Sequence, residues 1–433
     1  MKIAVIGSGI AGLTSAYLLS KAHEVDVFEA NDYIGGHTAT VDVEGLAIDT
    51  GFIVFNDRTY PKFRYLMREL GVGWKDTEMS FSVHNPDTGL EYNGHSLATL
   101  FAQKRNLFRP SFYRMLFDIM SFNQAAKTKY QDVNGQVESL DSVTLAQFVD
   151  ELKLGKMFKD NYLFPMCAAI WSATIEDVAE LPLGFFLRFF MNHGLLNIAD
   201  RPQWAVINGG SRSYIEPMIA GFKDRIHLNT PISKITRHDD YVTVATRDGT
   251  ERTYDHLVLA CHSDQALRML SDASDAEREV LGAIGYQPNE VVLHKDIGLL
   301  PKRKAAWASW NYWLPSHASN EPGKAPEQQL ASVTYNMNIL QGLQSDQTYC
   351  VTLNNTAKIK PELILRKFIY HHPEYSLTSM AARKQRDRVC GQQRTHFAGA
   401  YWYNGFHEDG VRSAFDVAKR FDLAPEVEDT ESA

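Results

Sequence analysis

Gly7, Gly9 and Gly12 lie in the run Gly-Ser-Gly-Ile-Ala-Gly, and an acid, Glu29, follows them. These residue types at this spacing suit a dinucleotide. Gly7 permits a tight turn, Gly9 lets the backbone approach a pyrophosphate, and Gly12 lets a helix pack closely on a strand. Free N–H groups at the start of that helix, at Ile10 and Ala11, together with its dipole, attract phosphate. Glu29, followed by Ala30, is placed to accept hydrogen bonds from ribose hydroxyls. The elements needed to position them are also legible. Lys2–Ile6 is an apolar run that predicts a strand, Ile10–Lys21 is helical in composition, and Val25–Phe28 alternates and stops at Glu29. A bare Gly-x-Gly-x-x-Gly is a weak signal. In register with strand, helix and acid it is a strong one.

Gly35-Gly36-His37-Thr38 comes next, and then Asp49-Thr50-Gly51-Phe52. With the glycine run and Glu29, this series resembles the N-terminal signature of the flavin amine oxidase superfamily, which includes monoamine oxidases, protoporphyrinogen oxidases and carotenoid desaturases. The resemblance implies FAD as the cofactor, with the glycine doublet passing close to its phosphates. His37 stands where relatives usually have Arg. Near the other end, a short strand, Gly399, a loop, Gly410-Val411 and a helix expected over 411–421 resemble the superfamily's C-terminal flavin motif. That likeness implies a helix N-terminus at the pyrimidine edge of the flavin, where N–H groups stabilise the charge of the reduced ring. Ala400 replaces an acid common in relatives, and Asp409 is the candidate to compensate. Ile232 matches the position whose backbone meets the adenine.

The candidates for catalysis are Tyr401, Trp402, Tyr403 and His407, close in sequence to the second motif. Superfamily amine oxidases wall the flavin face with two aromatic side chains. Core packing is the competing reading, and it applies equally to Trp307, Trp310, Tyr312 and Trp313. His371 and His372 read more readily as structural histidines than as proton-transfer groups. Lys295 is a candidate for the lysine that many relatives place near the flavin. No convergent set of metal ligands is visible, so no metal site is expected.

The 433 residues suffice for two or three domains with a large core, and 44% hydrophobic with 22% charged is an ordinary globular composition. A formal net charge of −8 without long cationic runs gives no nucleic-acid surface. Four scattered cysteines suit a reduced, cytoplasmic setting better than a disulfide framework. The expected fold is α/β: a discontinuous Rossmann-like FAD-binding domain over 1–75, 200–265 and 390–425, an α+β substrate domain over 76–199 and 266–389, and a disordered tail over 426–433. Helices are expected to dominate from about 96 to 190, strands at 290–294, 329–336 and 349–353, and a helix at 361–368.

The resemblance implies an FAD-dependent oxidoreductase that takes a hydride from a substrate C–H bond onto flavin N5. A single glycine fingerprint leaves no separate nicotinamide domain. Ser309–Tyr312, Tyr370–Pro373 and Asn404–Gly410 look like a bacterial branch of predicted NAD/FAD-binding proteins associated with acyl-lipid modification. The partner expected is therefore a hydrophobic small molecule or lipid. A small-amine oxidase and a non-catalytic FAD-binding protein stay open as alternatives. The apolar stretch 181–196 is too short to span a bilayer and reads as a core helix, a substrate-tunnel wall or a face resting on a membrane. The mixed apolar and basic stretch 104–120 fits the last idea. Peripheral contact with the inner membrane face is thus an alternative to a wholly cytoplasmic protein.

Overall fold

The computed structural model describes residues 1–134, 136–197, 200–314 and 328–427. Of the tail expected to be disordered, 428–433 lie outside the described residues. The chain divides into two compact units, one made of Met1–Lys75, Ile207–Tyr286 and Pro373–Ala433, the other of Asp76–Val206 and Gln287–His372.

The chain begins with strand β1 (Lys2–Ile6), helix α1 (Ile10–Leu19), strand β2 (Glu24–Phe28), the hairpin β3 (Thr40–Val43) and β4 (Leu46–Asp49), and helix α2 (Pro61–Glu69). The second unit opens with the hairpin β5 (Phe81–Asn85) and β6 (Leu90–Asn93), then helices α3 (Pro110–Asp132), α4 (Phe164–Trp171) and α5 (Leu183–Asn192). Strands β7 (Ile226–His227), β8 (Ile232–Arg237), β9 (Val242–Thr246), β10 (Glu251–Tyr254) and β11 (His256–Leu259) follow in the first unit, with helices α6 (Ser263–Met269) and α7 (Asp275–Gly282). Strands β12 (Tyr286–His294), β13 (Trp310–Trp313), β14 (Ser332–Asn336), β15 (Cys350–Leu353) and β16 (Ile364–Pro373) supply the rest of the second unit's sheet. Helix α8 (Leu377–Arg383), strand β17 (Thr395–Phe397) and helix α9 (His407–Lys419) complete the first unit.

In the first unit a parallel sheet runs β7–β2–β1–β11–β17. Strands buried on both faces need continuous apolar runs, and Ile3–Ile6 and Leu257–Leu259 supply them. Helix α1 is buried along nearly its whole length and packs against α9. Strands β8, β9 and β10 form a separate antiparallel sheet. Residues 266–286 and 373–389, expected in the substrate half, fall in the first unit instead. The reason is burial: Leu270, Val280, Leu281, Ile284 and Val389 share one apolar core with Ile6, Leu257 and Phe397.

The second unit is built on a seven-stranded sheet, β16–β12–β15–β14–β13–β5–β6, in which β13 and β5 run parallel. Its register aligns Ser82, Asn311, Thr334, Thr352 and Val292 in one row and Val83, Tyr312, Val333, Leu353 and Val291 in the next. Rows alternate faces, so one face is polar and the other aromatic and aliphatic. The aromatic face is covered by the unit's own helical region. Tyr92 Oη donates to the Asn161 carbonyl at 2.5 Å, Asn85 Nδ2 donates to Asn161 Oδ1 at 2.8 Å, and α4 packs on β13. The helix expected at 361–368 is a single turn, Pro361–Leu363, followed by β16. Edge pairing to β12 prevails there over local helical character. The stretch 181–196 holds a core helix, with Leu183, Phe185, Phe186, Leu187, Phe189 and Phe190 all buried.

Candidate functional site

The turn from β1 into α1 is shaped by what surrounds each glycine. Gly7 has φ +104°, open to glycine at little cost, and a Cβ there would meet the Ala260 carbonyl at 2.8 Å. A Cβ on Gly12 would lie 1.9 Å from the Gly7 oxygen, so helix and turn touch through bare backbone. At Gly9 a Cβ would meet nothing within 4 Å. Side chains are therefore excluded at Gly7 and Gly12 by the protein itself, whereas at Gly9 the protein leaves open space. Glu29 ends β2 and is buried. Its Oε2 accepts from the Ser8 N–H at 3.0 Å and the Ser8 hydroxyl at 2.6 Å, and its Oε1 accepts from the Asn31 N–H and Nδ2, both at 2.9 Å. The neighbouring Ala30 is exposed.

The glycine doublet packs on this turn. Gly35 forms a parallel bridge with Gly9, its N–H donates to the Ser8 carbonyl at 3.0 Å, and a Cβ on Gly36 would stand 3.1 Å from the Gly9 Cα. His37–Ala39 and Thr50–Phe52 then run side by side: Phe52 N–H donates to His37 O at 2.8 Å and Thr50 N–H to Ala39 O at 2.9 Å. The chain's last helix arrives at the same place. A Cβ on Gly410 would meet Ile10 Cγ2 at 2.8 Å and Ala11 N at 3.8 Å. Gly410 thus sits inside the first turn of α9, which starts at His407 rather than at the expected Val411, because the helix must lie close on α1. Val411 is fully buried. Asp409 caps its own helix, accepting from the Phe406 N–H at 2.8 Å. Gly399 lies two residues beyond β17 with its N–H donating to Ser413 Oγ at 2.8 Å, and Ile232 opens β8 at the edge of the core.

His407 lies flat against Phe52, ring centroids 3.6 Å apart and planes 7° from parallel. Its Nε2 is 2.9 Å from the Tyr214 hydroxyl, which also bonds Thr38 Oγ1 closely. Residues from three distant segments, Thr38, Tyr214 and His407, therefore form one chain of contacts. Burial, with His37 adding to it, pushes the His407 imidazole well below its ordinary range, so it is neutral at physiological pH. Two buried carboxyls are pushed the other way. Asp49 rises to about 6 through burial although Thr40 Oγ1 and the Ser211 N–H and hydroxyl bond to it. Glu408 rises to about 8, again through burial, while its two oxygens accept the Lys62 and Phe63 N–H groups at 2.9 and 2.8 Å and so cap α2.

The aromatic triplet packs into the first unit. Tyr401 and Trp402 are each 4% exposed and belong to the first unit's core, with Trp402 Nε1 donating to the Phe397 carbonyl at 3.2 Å. Tyr403 donates to Asp416 Oδ2 at 2.5 Å and lies under Arg412. Tyr401 packs on Gly399, where a Cβ would lie 2.2 Å from its ring, Tyr403 is tied to α9, and His407 stands between Phe52 and Tyr214. His372 bonds Asn289 within the second unit, and Lys295 extends its ammonium over the Tyr349 ring at 5.3 Å. In that unit Phe81, Trp310, Tyr312 and Tyr335 line the aromatic face of the sheet. Trp310 Nε1 and the hydroxyl of Tyr312, a residue 1% exposed, have no hydrogen-bond partner among the described residues.

The family model for flavin containing amine oxidoreductases matches residues 10–421. The chain belongs to that family. Its members are FAD-dependent oxidoreductases, and the cofactor is FAD. AofH of Mycobacterium tuberculosis, named as a flavin-containing monoamine oxidase, is 25% identical over 261 residues, 57% of this chain and 54% of that one. The chain thus spans about half the length of that relative. A fatty acid isomerase from P. acnes that produces CLA shares the fold at TM-score 0.67, with 19% identity over 97% of this chain and 98% of that one. So does putrescine oxidase bound to putrescine, at TM-score 0.69 with 13% identity over 98% and 99%.

The residues present fit FAD. The space beyond Gly9 is bounded by the Gly35–Gly36 backbone and the α1 N-terminus, a cradle that a side chain would fill and a diphosphate can enter. Ser8, Asn31 and Tyr214 are not marked by the sequence reading, whereas Glu408 falls in the run His407-Glu408-Asp409, which reads as candidate proton-transfer groups. Ser8 lies inside the fingerprint and Asn31 follows the acid, so their positions are a signal. Tyr214 acts through partners far away in sequence and carries none.

Proposed function

We propose that the chain uses FAD to remove hydrogen from a C–H bond of a largely apolar substrate bearing an uncharged oxygen function, of the acyl-lipid kind. In this reading the first unit holds the cofactor and the second takes the substrate. Bound FAD supplies the hydride acceptor. The residues of the chain do the remainder: the Gly9 turn and the α1 N-terminus hold phosphate, Glu29 faces the ribose, and Tyr214 fixes the orientation of a neutral His407 beside Phe52.

The observation that carries the choice of substrate is the aromatic face of the second unit's sheet. Its rows hold Phe81, Val83, Trp310, Tyr312, Val333 and Tyr335, with no carboxylate. Its unpartnered groups are an indole N–H and a phenol, both able to donate. A buried donor without a partner is costly, and a ligand acceptor relieves that cost. An ammonium brings only donors and calls for an acid or several acceptors. A carbonyl or ether oxygen on an apolar body matches both requirements. The amine reading keeps the support of AofH and putrescine oxidase, although likeness of fold is shared equally with the fatty acid isomerase.

The test is anaerobic bleaching of the yellow protein by methyl oleate, benzylamine and putrescine in parallel. Bleaching by the ester and not by the amines is expected, and Tyr312→Phe is expected to weaken the apparent ester affinity at least about tenfold, the worth of one buried hydrogen bond. Faster bleaching by an amine would replace this reading with amine oxidation. No bleaching by any reductant-bearing substrate would favour the non-catalytic alternative.

A further inference from the structure

Helix α3 carries apolar side chains on two faces. Phe112, Met115, Phe122 and Ala126 are buried, as an amphipathic helix requires. Tyr113, Phe117 and Met120, spaced at i, i+4 and i+7, form a second stripe that is exposed, with Phe117 58% and Met120 51% accessible. The turn before the helix adds Leu107 and Phe108, the latter 86% accessible, and Tyr113 Oη donates to the Leu107 carbonyl at 3.1 Å, which ties turn and stripe together. Five large apolar residues thus stand in solvent within the continuous stretch 107–120. Scattered exposed hydrophobics need no explanation; a cluster of this kind does.

The charge around the stripe decides what it meets. Lys104, Arg105, Arg109 and Arg114 surround it, on a chain whose formal net charge is −8. The one acid between 104 and 120, Asp118, is buried and paired with Arg114 at 2.8 Å. Arg105 is anchored through neutral partners, the Thr88 and Gly89 carbonyls. A second copy of the chain, joined about a two-fold axis through this face, would set these cations against themselves. An anionic bilayer offers the opposite: headgroups for the exposed Lys104, Arg105 and Arg114 and an acyl boundary for Phe108, Phe117 and Met120. We infer that this face of the second unit docks on an anionic lipid surface, holding the enzyme where its substrate resides. The inference rests on the lipid reading of the substrate, but its evidence is independent of the flavin site.

The experiment is sedimentation of the FAD-loaded protein with phosphatidylcholine vesicles, with and without phosphatidylglycerol. The wild type is expected to pellet with the anionic vesicles only, and less so as salt rises. Phe108→Ser with Phe117→Ser should reduce partitioning at least about tenfold, given roughly 0.8 kcal/mol per buried CH2 group. Lys104→Glu with Arg105→Glu, both at exposed residues, should reduce it on anionic vesicles alone. Flavin absorbance and monodispersity reveal whether each variant is folded, and since both exposed-residue pairs face solvent, full yellow colour is expected. Equal pelleting of wild type and the serine variant would overturn the inference. So would a wild type that ignores vesicles but whose dimer dissociates in the serine variant, which would make the face a contact between copies. Vesicle binding with no ester bleaching would instead uphold the docking face and sink only the substrate assignment.

Discussion

Buried polarity is handled differently by three carboxylates of the first unit and by the central row of the second unit's sheet. In the first unit Glu29 holds the Ser8 turn, Asp49 the Ser211 loop and Glu408 the start of α2. In the central row of the second unit's sheet the groups are neutral and bond one another across strands. Ser82 Oγ donates to Asn311 Oδ1 at 2.8 Å, Thr334 and Thr352 share a hydrogen bond at 2.8 Å, and His294 Nε2 lies 2.7 Å from Thr352 Oγ1. Burial pushes His294 down to about 4, so it too is uncharged. Charged clamps join distant segments and respond to pH. A neutral ladder pins strand register and does not.

The comparison can be broken hardest at the glycines of the first unit. Gly12→Ala places a methyl group 1.9 Å from a carbonyl oxygen and should abolish soluble yellow protein, whereas Gly9→Ala meets no protein atom within 4 Å and should fold with its ligand-free thermal midpoint unchanged while losing FAD. Flavin-to-protein ratio and thermal midpoint, read together, check both; a Gly9→Ala protein that retains FAD removes the phosphate role.

Next in size is the pH response. Asp49 and Glu408 have folded pKa values raised to about 6 and about 8, so the folded state binds protons that the unfolded state has released. Their contribution is complete below pH 4 and is lost as pH rises, through about 6 for Asp49 and about 8 for Glu408. Stability should therefore fall between about pH 4 and pH 8, on the order of a few kcal/mol, and the thermal midpoint with it. Glu408→Gln should flatten the upper part of that fall; an identical slope in the variant counts against the buried carboxyl as its source. The smallest effect belongs to the ladder. Thr352→Val strips His294 and Thr334 of their shared partner and should cost about 1–3 kcal/mol by denaturant unfolding, with the same loss at every pH above 5 and no change in flavin content.

What could be read from the sequence follows the range of the forces involved. The β1–α1–β2 turn was legible because three glycines and an acid satisfy local steric and hydrogen-bonding demands within thirty residues. The beginning of α9 was misjudged because Gly410 looks like a helix cap, while its actual reason is the close approach of Ile10 from the opposite end of the chain. Tyr401-Trp402-Tyr403 suggested a pocket because consecutive aromatics carry no sign of which core they fill. Tyr214 could not be found at all: its meaning lies in Thr38 and His407, and no local pattern encodes a meeting of three distant segments. The α/β architecture was recovered, yet α6, α7 and α8 were allotted to the wrong half because an amphipathic helix does not state which sheet it covers.

Helix α1 is buried along nearly its whole length, and its chief helical neighbour is α9. During synthesis the first of these leaves the ribosome hundreds of residues before the second exists. Until α9 has been translated, the part of α1 that it covers, Ile10 and Ala11 among it, stays open to solvent. A stop codon placed just ahead of His407 would consequently yield inclusion bodies rather than a smaller working flavoprotein.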